Sequence, residues 1–193
     1  MKLPDKIYTE SAGGGNEFDL AAFNAECGDI VLSGDIVMTT ALNFASIMKY
    51  MQRKGKKVTI YLNSPGGEVT AGLIIYDIIQ DYPYDLKIVC TGLAASMGAI
   101  LLAGGRKGNR FILPHSKVMI HEPLISNGFG GSATKIEQKA QMILDVKRQL
   151  NEILAKHTGK SLEEINKATA FDNFMSAEEA VEFGICDAIG SIY

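Results

Sequence analysis

KVTIYLNSPGGEVTAGLIIYDIIQ, residues 57–80, decides the architecture. Lys57–Leu62 alternates in polarity and carries β-branched residues, which predicts a strand. Asn63-Ser64-Pro65-Gly66-Gly67 then reads as a sharp turn. Glu68–Gln80 follows with Ala71, Ile75, Ile78 and Ile79 on one side, which predicts a helix with an apolar inner face. Strand, glycine turn and helix in that order form the repeating unit of α/β proteins.

The same alternation extends both ways. Upstream, Asp29–Ser33 is a short apolar strand, and Thr40–Lys54 is a helix with Ala41, Phe44, Ala45, Met48 and Met51 at helical spacing, ended by Gly55. Downstream, Leu86–Thr91 is a strand and Ser96–Ala103 a helix of small residues. Arg110–Leu113 and Lys117–His121 read as a strand pair around Pro114. The β-α-β-α-β order predicts an α/β fold with mainly right-handed crossovers. Gly128–Gly131 is a glycine-rich loop or irregular strand. Thr134 and Glu137 have capping-box spacing and are expected to open a long helix to His157, with Ile136, Ala140, Ile143, Leu150 and Leu154 apolar and Gly159 as its stop. That helix reads as an arm projecting from a compact head. Ser161 with Glu164 and Ser176 with Glu179 predict two more capped helices, Gly184 ends the last, and Ile185–Ile189 is a short final strand. Residues 1–28, with Gly13-Gly14-Gly15, give no clear pattern.

The chain has 193 residues, and a domain of that size hides roughly 70% of its unfolded surface. It reads as one domain. With 47% apolar and 21% charged residues and a net charge of −3, it is globular and has no basic block suited to nucleic acid. No window approaches the roughly 18 apolar residues of a membrane span, and no apolar leader follows Met1-Lys2-Leu3-Pro4-Asp5. Cys27, Cys90 and Cys186 stand far apart without a CxxC, so neither a disulfide nor a metal is expected, and the expected compartment is the cytoplasm. Cys90 lies in an apolar run and reads as a small buried residue.

A serine nucleophile needs a tight turn, a nearby base and amide donors for the oxyanion. Gly92-Leu93-Ala94-Ala95-Ser96-Met97-Gly98-Ala99 is a strand-to-helix turn lined with small residues. Ser96 there is either a nucleophile or an ordinary N-cap. It does not sit in a G-x-S-x-G elbow, because position 94 is alanine. For a base there are three histidines. His157 ends a helix, where a cation suits the dipole. His115 follows Pro114 in a turn, and His121 ends an apolar strand, as a core histidine or a site residue. Asp172 lies in a connector, as a turn or cap residue or as the group orienting a base. Gly66-Gly67 is either a turn needing positive φ or an exposed amide for an oxyanion, and no Gly-Lys-Ser/Thr follows to make a phosphate loop.

Together these segments resemble the proteolytic subunit of the Clp protease. Asn63 to Asp77 is similar to its cleft turn and the helix behind it, and Gly92–Ala99 to its nucleophile segment. Met119-Ile120-His121-Glu122-Pro123 is similar to its histidine segment, and Asp172 to Ala180 to its aspartate segment. The resemblance runs from about Asp29 to Ile189. It implies an α/β spiral of β-α-β units, shared with crotonases, forming a head, with a handle of strand and helix over about residues 124–158 and an axial segment over 1–28. It implies a serine endopeptidase in which Ser96 is the nucleophile, His121 the base and Asp172 its orienter, with the amides of Gly67 and Met97 as the oxyanion hole. It also implies seven-membered rings stacked as a tetradecamer and unfolded protein or peptide substrates. No cofactor is implied in this chain, since ATP would be used by a partner AAA+ unfoldase.

Three departures from the family pattern stand out. Phe171 occupies the place of an arginine at ring-to-ring contacts, Leu124–Thr134 is about two residues longer, and Gly13-Gly14-Gly15-Asn16-Glu17 replaces a basic axial sequence. The rival readings are a crotonase-like acyl-CoA enzyme on the same fold and a non-catalytic ring subunit.

Overall fold

The computed structural model describes residues 6–11, 14–124 and 130–190. The N-terminal region forms an antiparallel hairpin of β1 (Lys6–Ser11) and β2 (Gly14–Asp19), then helix α1 (Leu20–Cys27). Asp19 caps α1 by accepting from the Ala22 amide at 2.9 Å. Next come β3 (Asp29–Ser33), α2 (Met38–Arg53), β4 (Val58–Ser64), α3 (Val69–Asp81), β5 (Leu86–Ala95) and α4 (Met97–Ala103). The chain continues through β6 (Arg110–Ile112), β7 (Lys117–Ile120), α5 (Ala133–Thr158), α6 (Leu162–Ala168), β8 (Asn173–Met175), α7 (Ala177–Phe183) and β9 (Ala188–Ile189).

A mixed sheet organises these elements. Strands β3-β4-β5-β6-β9 are parallel, β7 pairs parallel with β5, and β8 pairs antiparallel with β7. This is the α/β fold expected from the strand–turn–helix units. Ile60 and Leu62 of β4, Ile88 of β5 and Ile75 and Ile79 of α3 are buried, together with Phe44, Met48 and Met51 of α2.

The expected strand pair around Pro114 does not form. Both strands lie against β5 instead, β6 beside Ile88–Cys90 and β7 beside Leu93–Ala95. The reason is the length of β5, which spans ten residues and continues through Gly92 to Ala95. Its ladder with β4 shifts register between Leu62 and Ser64. There the Asn63 side chain accepts from the Leu93 amide at 3.0 Å, standing in for the interrupted ladder bond.

Helix α5 also departs from expectation at its start. Its N-cap is Ser132, with extended backbone and no side-chain cap bond, and Thr134 lies inside the first turn. A capping box needs its serine or threonine in extended conformation, so Thr134 and Glu137 make none. The boxes at Ser161–Glu164 and Ser176–Glu179 do form, and Gly159 and Gly184 end their helices in the left-handed conformation. Along α5 only Leu150, Asn151 and Leu154 are buried. Residues 125–129, within the glycine-rich stretch and the lengthened segment, lie outside the described residues.

Arg110 ties the ends of several elements together. It is buried, pairs with Asp187, and donates to the carbonyls of Ala103, His157 and Gly184. Burial raises the Asp187 pKa, but hydrogen bonds from Arg110, its charge and the Gly108 amide outweigh this and hold it below the ordinary value.

His157 is not the helix-end cation its position suggests. Burial, reinforced by the charges of Lys156 and Arg110, lowers its pKa to about 4. Burial raises the Tyr76 pKa, and its hydroxyl lies in hydrogen-bond contact with His157 Nε2 at 2.8 Å. The unfolded chain therefore binds one more proton than the folded one between about pH 6.5 and about pH 4. Stability from this residue is present above pH 6.5 and lost as pH falls through that window. Melting temperatures at pH 7.5, 5.5 and 4.5 should fall less steeply in His157→Gln than in the unchanged protein; identical slopes would contradict this account.

Candidate active site

The site is built at the carboxyl end of β5. Ser96 follows that strand and precedes α4 in the N-cap position, yet its side chain makes no capping bond. Its φ is 53°, the one positive value among non-glycine residues described here. A bulky conformation of this kind costs of order 1–3 kcal/mol and persists only where the surroundings impose it. They do so here. The Ser96 amide donates to the Met119 carbonyl at 2.8 Å, which fixes the turn to β7. The hydroxyl is thus aimed away from its own helix and lies 2.9 Å from His121 Nε2.

His121 leaves the end of β7 and is 15% exposed. Its Nδ1 lies 3.1 Å from Asp172 Oδ1. Strand register explains how a residue 51 positions away arrives there. Ile120 pairs with Asn173 across the antiparallel β7–β8 ladder, so the next residue on one strand faces the preceding residue on the other. Ser96, His121 and Asp172 therefore stand in one hydrogen-bonded file. His115 lies in the turn before β7, and His157 is bound to Tyr76; neither joins the file.

The Gly66-Gly67 turn closes over this file. Gly66 has φ 99° and Gly67 φ 149°. A Cβ on Gly66 would lie 2.7 Å from Ser96 Cβ, and one on Gly67 would lie 2.2 Å from the Ile36 carbonyl oxygen. Both positions thus need glycine for space as well as conformation. Ser64 Oγ braces the turn, accepting from the Gly66 amide at 3.0 Å and donating to the Gly34 carbonyl at 2.6 Å. The bridge between Ile36 and Gly67 uses the Gly66 carbonyl and the Glu68 amide, leaving the Gly67 amide out of it. Met97 begins α4, where an amide has no partner within the helix.

A cavity of about 670 Å³ opens beside Ser96 and His121. It is lined by Gly67, Val69 and Thr70, by Met97 and Ile100 of α4, and by Leu150, Asn151 and Leu154 of α5. The Asn151 side chain is turned to Asn166 and Thr169, leaving an apolar wall. Glu122, next to His121, accepts from Lys147 of α5 at 2.5 Å and links the histidine segment to that wall. This link was not legible in the sequence: Glu122 lies in the histidine segment, but Lys147 is 25 positions away on α5 in no recognisable motif.

Fold and site together define a class: an α/β protein whose serine, histidine and carboxylate are aligned as in serine hydrolases. Residues 13–192 match the Clp protease family model, and the chain belongs to that family. Its members are serine peptidases, which accords with the resemblance carried by the four sequence segments. Among the described residues, no helix is long and apolar enough to cross a membrane, and no group of His, Cys, Asp and Glu could hold a metal ion.

Proposed function

We propose that this chain is a serine endopeptidase that cleaves unfolded proteins and peptides, with Ser96, His121 and Asp172 as its catalytic residues. The observation that carries the reading is the 2.9 Å contact between Ser96 Oγ and His121 Nε2, in a serine that forgoes its capping role. Ser96 Oγ attacks the scissile carbonyl while His121 Nε2 takes its proton. The amides of Gly67 and Met97 stabilise the oxyanion. Collapse of the tetrahedral species breaks the C–N bond, and His121 returns the proton to the leaving amine. A water then attacks the acyl-enzyme by the same route and frees Ser96. Asp172 holds the imidazole with Nδ1 protonated and stabilises the imidazolium. The test is hydrolysis of fluorogenic peptides and of an unfolded protein by the purified chain, with new termini mapped by mass spectrometry; absence of any cleavage would refute the reading.

The assembly belongs to the same proposal: seven-membered rings stacked in pairs around a chamber, fed by an AAA+ unfoldase. Phe171 gives it a specific form. It is 84% exposed, directly before Asp172, so it is not part of its own subunit's core. Packed at the ring-to-ring contact, it would resist salt, unlike an ion pair. Sedimentation at about 0.1 M and about 1 M salt, where screening shortens from about 10 to about 3 Å, should show the same double ring. Phe171→Ala should release smaller species and lower turnover. Dissociation of the unchanged protein in high salt would count against this contact.

A further inference from the structure

We propose that Asp35 and Glu68 make this cleft selective for peptides with a basic side chain beside the cleaved bond. The proposal rests on the peptidase reading and deepens it by naming a substrate class, cationic unfolded segments. The cleft is a site by virtue of Ser96 and His121; the two carboxylates decide what enters it.

Both residues line the cavity that contains Ser96 and His121. The backbone dictates this placement. Ile36 pairs with Gly67 in a parallel bridge and buries its side chain completely. Side chains alternate along extended backbone, so Asp35 before Ile36 and Glu68 after Gly67 turn away from the core, toward the cleft. Both are exposed. Among the described residues, neither carboxylate has an ion-pair or hydrogen-bond partner; the bond at Asp35 is to its carbonyl, from Thr40 Oγ1 at 3.1 Å. Glu68 is the N-cap of α3, where the helix dipole favours an acid, and Asp35 lies on the loop between β3 and α2, two residues before the N-cap Val37.

Among the described residues, no lysine or arginine lines the cavity, and Lys147 of α5 is bound to Glu122. Residues 125–134, which follow the cleft residue Leu124 in sequence, carry no charge. The apolar lining of the cleft comes from residues that include Met97, Ile100, Leu150 and Leu154. An extended peptide that seats an apolar side chain there sends the neighbouring side chains outward to the acidic rim. Partly exposed charge contacts are individually weak, and two of them acting by attraction and repulsion give about tenfold discrimination between lysine and glutamate.

The test uses quenched peptides with leucine at the cleaved position and lysine, glutamine or glutamate at each flanking position. At low salt the unchanged protein should rank them lysine, glutamine, glutamate in kcat/KM, with about tenfold between the extremes, and salt should compress the ratio. Asp35→Asn with Glu68→Gln should bring the ratio within about twofold; the ratio inside each variant is read, so the glutamine peptide serves as internal reference. Cleavage of all three peptides without charge preference, or a preference that survives the double substitution, overturns this proposal and leaves the peptidase reading intact. Failure to cleave any of them overturns both.

Discussion

Replacing Ser96 by alanine is expected to lower peptide turnover by roughly 10⁴- to 10⁶-fold, the usual consequence of removing a triad nucleophile. The chain should remain folded, because the hydroxyl makes no capping bond and its partner is His121 alone among the described residues. Far-ultraviolet circular dichroism and melting temperature would report the fold, and single-turnover kinetics the chemistry. A variant that keeps more than a tenth of the rate would remove Ser96 from the mechanism. A non-catalytic ring subunit would show no difference between the two proteins at any substrate concentration.

The second large effect is expected at Gly66. Its φ of 99° is unfavourable for alanine, and the added Cβ would meet Ser96 Cβ at 2.7 Å, the Ala95 carbonyl oxygen at 2.8 Å and the Met97 amide nitrogen at 3.1 Å. Two of those neighbours are backbone, so the turn must shift as a unit. The shift would move the nucleophile and an oxyanion donor together. A displacement of about 1 Å in such a site costs on the order of 100-fold in rate. Gly66→Ala should therefore lose about 100-fold or more in kcat while KM changes little, since the apolar walls at Ile100, Leu150 and Leu154 are untouched. A kcat within threefold of the unchanged protein would show that the turn does not set the nucleophile.

Much of this was readable from residues 57–80, because a strand and a helix separated by Pro65-Gly66-Gly67 carry both hydrophobic periods and the turn between them. The length of β5 was not readable. Gly92 looks like a strand end, and only the Asn63 side chain, thirty positions away, explains why the strand continues. Phe171 could be seen as a departure in sequence, but its exposure depends on the fold. The proximity of Asp172 to His121 depends on a three-residue strand too short to give a periodic signal. Ser96 was ambiguous between cap and nucleophile until its φ and the direction of its hydroxyl were known. His157 misled because its lowered pKa comes chiefly from burial, which sequence position does not reveal.

The account turns on an activated Ser96 poised against His121, and covalent capture tests that most directly. The purified protein, incubated with a fluorophosphonate, should gain one adduct per chain, and peptide mapping should place it on Ser96. His121→Ala should slow the capture by orders of magnitude without unfolding the chain. An unlabelled protein under conditions that label other serine hydrolases, or an adduct on a different residue, would contradict the account.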